Sequence, residues 1–188
     1  LEYDVTGRVR VIPANGYNSP VPEQFRATHY PTHEIDGYIF IWWGTEPPEN
    51  LEPPEYYENL GGFRHATARD PWRAHYSRVL ENQLDVAHLP FVHHNTIGRG
   101  NRTLVDGPAV RWLSNRRMRV FVRNRTDGPP PPFTPAEFPG GTEETDFHVD
   151  AILPNLWQNH ISEDVRVTAA FVPVDNEKTI LYLRFYQK

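Results

Sequence analysis

No cysteine occurs among the 188 residues. That excludes disulfides and leaves the compartment undecided by redox chemistry, with the cytoplasm as the expectation. No run approaches about 18 consecutive apolar residues, so no membrane span is expected, and the first residues lack the shape of a signal peptide. Positive charge is scarce. The 19 Lys and Arg are outnumbered by 24 Asp and Glu, and the net charge of -5 argues against a nucleic-acid footprint. One local basic run, Arg116, Arg117, Arg119, Arg123 and Arg125, interleaves with Val120 and Val122 and reads as the outward face of a strand. Aromatics are plentiful at 13% within 38% hydrophobic content, enough for one good core despite a mean hydropathy of -0.63. One main domain is the expectation.

The chemistry concentrates between Glu81 and His94, ENQLDVAHLPFVHH in one-letter code. Asp70–Pro71 reads as a helix N-cap followed by proline at the first helical position. From there Trp72, Tyr76, Val79, Leu80, Gln83, Leu84 and Ala87 recur at helical spacing along an apolar-leaning face. At about 100° per residue, Asn82, Asp85 and His88 form a stripe on the roughly opposite face, with Asp85 and His88 as neighbours. Pro90 cannot continue the helix and pushes Leu89 out of the α region, so the chain turns and His93 can come back toward His88. Two imidazoles so placed are good ligands for a borderline metal, and with one carboxylate they make the facial triad of non-haem iron oxygenases. Asp85 is equally suited to accept the ring N–H of a ligating histidine. The plain alternative is a solvated helix face that ends in a wet loop.

The string N-x-x-D-x-x-H-x-x-x-x-H, filled by Asn82, Asp85, His88 and His93, resembles the mononuclear-iron motif of Rieske non-haem iron oxygenases. The surrounding Glu81, Ala87, Pro90, Phe91 and His94 are most similar to the branch that includes pheophorbide a oxygenase and vanillate O-demethylase. The resemblance implies that His88 and His93 bind Fe(II), and that Asn82 lies near the iron. It also implies that Asp85 links a histidine ligand to the reductive cluster of a neighbouring subunit, and hence a homotrimer. His94 could substitute by spacing alone, but the motif selects His93. The implied activity is that of an oxidoreductase, a mono- or dioxygenase. It would use O₂ and electrons from a reductase or ferredoxin to hydroxylate or demethylate an aromatic or macrocyclic substrate.

A Rieske [2Fe–2S] cluster needs two cysteines and two histidines, so this chain cannot hold one. The expectation is therefore a piece of a longer protein that does. Leu1–Asp4, Thr6–Arg8 and Val9–Pro13 resemble the segment just after the second ligand pair of a Rieske domain, and the run from Gly37 to Gly44 reads as that domain's buried closing strand. On this reading residues 1–47 are the C-terminal part of a Rieske-like β-domain, with His29 and His33 as surface or strand residues. The Pro- and Glu-rich stretch 46–57 is a stiff linker. Residues 48–188 are the catalytic domain, with its C-terminal end missing. Within it Gly61–Gly62 opens a strand, His65 and His75 are structural, and Asn95–Asn101 is a loop passing close to the iron. Asn101–Asp106, Gly107–Pro108 and the run Ala109–Asn124 form a hairpin. The proline-rich 127–141 is a lid or a surface loop.

Strands come next at 144–153, 156–162, 165–174 and 179–187, joined at the end by the turn Asp175–Lys178. Phe147, Val149, Ile152, Leu156, Trp157, Ile161 and Phe171 are the candidates for the inward face. Strands after one long helix make an α+β domain. The resemblance makes it a helix-grip (START-like) antiparallel sheet around that helix, preceded by the partial all-β Rieske domain. In the family the third, carboxylate ligand comes from a late helix, so it is expected outside this sequence, with Asp146, Asp150, Asp164 and Asp175 as internal alternatives. Two other classes stay open. One is a non-catalytic helix-grip protein that binds a hydrophobic ligand. The other is a zinc hydrolase in which Asp85 or Glu81 activates water.

Overall fold

Apolar residues that recur every second position become strands, and the side they share decides what each strand packs against. In the computed structural model, residues 1–45, 52, 54, 55, 60–98, 100, 103–125 and 147–188 are described. The chain divides into two units, 1–54 and 55–188. The first holds two small antiparallel pairs: β1 (Glu2–Tyr3) with β2 (Val9–Val11), and β3 (Thr32–Ile35) with β4 (Tyr38–Ile41). The run around β4 reads in sequence as a buried strand, but the structure covers only one side of it. Tyr38 and Phe40 are half-buried, while Ile39, Ile41 and Trp43 point outward with Trp43 stacked on Tyr30. His29 and His33 are exposed.

The second unit comprises β5 (Arg64–Trp72), α1 (Tyr76–Leu84), α2 (Leu89–Val92), β6 (Leu104–Trp112), β7 (Arg117–Arg125), β8 (His148–Ile152), β9 (Leu156–Ser162), β10 (Val165–Asp175) and β11 (Lys178–Gln187). Its strands form one open sheet in the order β5-β11-β10-β9-β8-β7-β6, antiparallel throughout. Val79 and Leu80 of α1 pack on one face of it, against Val120, Val149, Ala151, Trp157, Ala169 and Phe171. Alternation puts Arg117, Arg119, Asp150, Gln158 and Thr168 on the other face. The fold is mostly sheet with a few helical turns.

The structure corrects several sequence expectations. Asp70 and Pro71 do not start the helix. They are extended in β5, opposite Leu181 and Ile180 of β11. β5 is an edge strand, where a proline's missing N–H costs the sheet nothing if it faces outward. The helix starts at Tyr76 instead, and His75 takes the N-cap position, its ring nitrogen accepting from the Ser77 N–H at 3.3 Å. With nine residues, α1 is shorter than the periodicity implies. Gly107–Pro108 is not a turn but lies inside edge strand β6 at a register shift, as bulges often do. The chain reverses at 113–116.

Arg117 and Arg119 are not an open solvated face but largely covered. They enclose Asp150, which is fully buried. Of the candidates for the inward face, Val149, Trp157 and Phe171 are buried in the core with α1 and Phe147 is partly buried against it, whereas Ile152 and Leu156 are buried on the opposite face and Ile161 is 41% exposed. The 127–141 stretch, most of the 46–57 linker and Asp146 lie outside the described residues.

Candidate metal centre

The motif straddles a turn between α1 and α2. α1 closes where the Asp85 N–H reaches the Glu81 carbonyl at 3.0 Å. Asp85 then holds the turn with its side chain, Oδ1 accepting from the Ala87 N–H at 2.9 Å, the local bond that makes Asp a turn residue. Between them Val86 is buried in the core and pins the turn to the sheet. His88 takes the N-cap position of α2, and Pro90 lies in that helix's first turn, where its absent N–H costs nothing. Pro90 thus starts a second helix rather than stopping the first. The His88 carbonyl accepts from Phe91 and Val92, and the Leu89 carbonyl from the His93 N–H at 3.1 Å.

This single helical turn delivers His93 back to His88. Their ring centroids are 5.3 Å apart, at an interplanar angle of 63°. With a metal–imidazole bond of about 2.1 Å and the ring centre about 1.1 Å beyond the nitrogen, two imidazoles meeting at one ion at roughly 110° have centroids about 5.2 Å apart. The separation of the pair matches that of two imidazoles on a shared ion. Both rings are half-buried. Nδ1 of His88 is buried without a hydrogen bond and faces Oδ2 of Asp85 at 3.5 Å. A closure of a few tenths of an ångström would make that contact a charge-assisted bond. It would hold the proton on Nδ1 and leave the Nε2 lone pair for a metal.

The structure thus brings His88, His93 and Asp85 together. His94 is exposed and its Nδ1 is bonded to the Phe91 carbonyl at 3.0 Å, so it stays apart from the pair. Asn82 is also exposed, with Oδ1 bonded to the Gln83 amide at 3.3 Å rather than to either imidazole. Among the described residues no three His, Cys, Asp or Glu side chains converge as a metal site. Asp150 is committed elsewhere. Burial would raise its pKa, but the hydrogen bonds and charges of Arg119 and Arg117 overcome that and hold it below the usual carboxylate range. Asp175 caps its own turn, and the Glu177 N–H at 2.8 Å lowers its pKa. Asp164 is exposed between β9 and β10.

One structural feature beside the histidine pair is invisible to the motif, the loop after His93. The His93 carbonyl accepts from the N–H of Thr96 at 2.9 Å, the N–H of Gly98 at 3.0 Å and the Thr96 hydroxyl at 3.3 Å. The one sequence signal for it is Gly98 in the Asn95–Asn101 loop.

The open antiparallel sheet is similar to that of Rieske oxygenase catalytic domains. NdmA of Pseudomonas putida CBB5 superposes with a TM-score of 0.66 at 21% identity, over 98% of this chain and 51% of that one. Residues 72–188 match the vanillate O-demethylase oxygenase C-terminal domain, and the chain belongs to that family of Rieske oxygenases. Cholesterol 7-desaturase nvd of Hemicentrotus pulcherrimus is 32% identical over 116 residues, 58% of this chain and 24% of that protein. Chlorophyllide a oxygenase, chloroplastic, of Arabidopsis thaliana is 36% identical over 74 residues, 37% of this chain and 13% of that protein. The chain spans about a quarter or less of the length of these curated relatives.

Proposed function

We propose that this chain forms the mononuclear-iron catalytic domain of a Rieske-type oxygenase, an oxidoreductase in which His88 and His93 hold Fe(II). The observation that carries the reading is the pairing of the two imidazoles at 5.3 Å with the Asp85 carboxylate behind one of them. Bound there, Fe(II) would supply the activation of O₂ for hydroxylation or demethylation of an aromatic or macrocyclic substrate. The name of one relative, chlorophyllide a oxygenase, supports the macrocyclic class.

The chain's own residues then have distinct tasks. His88 and His93, at the two ends of α2, supply the imidazole nitrogens that would hold the ion. Asp85 holds the His88 proton on Nδ1 and is the proposed link to the electron supply. Asn82 borders the site from the last turn of α1. Val86 and Pro90, both buried, keep the turn rigid. α1 gripped by the curved sheet is the proposed helix-grip core, with residues 48–188 as the catalytic domain and 1–47 as part of a Rieske-like β-domain. The [2Fe–2S] cluster that the family implies would be bound outside these 188 residues, since the chain has no cysteine. A reductase or ferredoxin donor, a homotrimer and a cytoplasmic setting complete the proposal.

The test is Asp85→Ala in the full-length protein. Mononuclear iron should remain bound while product formation coupled to reductant falls by at least about 100-fold, the upper range for residues that support a metal ligand. Coupled turnover at the wild-type rate would refute the role of Asp85.

A further inference from the structure

We propose that Gly98, assisted by Thr96, is a positioning residue that sets the separation of His88 and His93. This rests on the reading of those histidines as metal ligands. Gly98 is required here because of close approach and not because of an unusual backbone angle. A Cβ at this position would be driven into the carbonyl oxygen of Leu89 and would lie 3.0 Å from the Pro90 nitrogen. Both obstacles are backbone, so no side chain can swing away to relieve them.

The Leu89 carbonyl is the group that couples the two imidazoles. It belongs to the residue directly after His88, and it accepts the His93 N–H at 3.1 Å. The Gly98 N–H returns to the His93 carbonyl at 3.0 Å, so the loop closes on α2 from both ends of the histidine pair. Leu89 packs against the hydrophobic core and Pro90 is buried, so α2 cannot retreat from an added methyl group by moving inward. The strain must go into the 93–98 loop and carry His93 away from His88. Thr96 adds the second tie, with its N–H and hydroxyl both on the His93 carbonyl.

The experiment uses the full-length protein with its mononuclear metal removed and replaced by Co(II), read by equilibrium binding and by the high-spin Co(II) EPR signal. Gly98→Ala should bind Co(II) at least about tenfold more weakly than wild type, with an altered signal, the scale expected when support of a metal ligand is lost. Far-UV circular dichroism should be unchanged. Thr96→Val, which removes one tie without a steric clash, should weaken binding in the same direction by about threefold. Gly61→Ala is the control for loss of a glycine as such, since nothing lies within 4 Å of its added methyl, and it should match wild type.

Wild-type affinity and signal in Gly98→Ala would overturn the inference. If Gly98→Ala does not fold, unchanged Co(II) affinity in Thr96→Val overturns it instead. His88→Ala separates the two levels. Unaltered Co(II) binding in that variant would overturn the metal site itself, whatever Gly98 does.

Discussion

Replacing Asp150 with Asn, which leaves the side-chain shape intact, should destabilise the sheet. Asp150 is fully buried and accepts from Nε and Nη2 of Arg117 at 3.0 and 2.6 Å, and from Nε and Nη2 of Arg119 at 2.8 and 3.1 Å. Asparagine keeps one acceptor oxygen and turns an NH₂ group toward a guanidinium. Breaking a buried charge pair from one side costs about 3–5 kcal/mol. The Arg117 and Arg119 side chains keep 14% and 17% of their exposure, so water recovers part of this and the lower end, about 3 kcal/mol, is expected. In a domain of this size that lowers Tm by about 6–12 °C.

Differential scanning calorimetry and urea unfolding measure it, the latter with an unchanged m-value. The pH dependence checks the cause. The Asp150 pKa is depressed in the folded protein, so its stabilisation is complete above the unfolded carboxylate value of about 3.9 and is lost as pH falls through the folded value. The wild-type advantage over Asp150→Asn should therefore be constant above about pH 5 and shrink below about pH 4. A Tm change under about 2 °C, or an advantage that grows on acidification, would refute the argument.

Two further outcomes test the core and its seams. Phe171→Ala removes a fully buried ring beneath α1 and should cost about 3–5 kcal/mol in urea unfolding; under about 1 kcal/mol would mean the site is not packed as described. Thr179→Val removes the hydroxyl that donates to the Ala74 carbonyl at 2.8 Å, joining β11 to the start of α1, and should cost about 1–2 kcal/mol with no change in metal content.

The strands were the most legible part of the chain. The bounds of β9 can be read from sequence because turn residues flank it on both sides, and the Asp175–Lys178 turn joins β10 to β11 as its composition predicts. Asp70–Pro71 misleads because helix-start chemistry and edge-strand proline look alike locally. Only the pairing with β11, more than a hundred residues away, decides between them. Gly107–Pro108 misleads in the same way, since a bulge and a turn use the same residues. For Arg117 and Arg119, alternation gives the face but not whether that face is covered.

At the site, the spacing of Asp85, His88 and His93 is readable, because one helical turn plus a proline leaves few ways to place them. The Gly98–Leu89 contact is not readable. It is made by backbone atoms nine residues apart, with no side-chain pattern to announce it.

The central claim is that His88 and His93 hold the iron together. The most direct measurement is iron per chain in the full-length protein, for wild type and for His88→Ala and His93→Ala made separately. Each variant should lose one iron per chain, with circular dichroism unchanged and any cluster absorbance retained. Iron content equal to wild type in either variant would contradict the account.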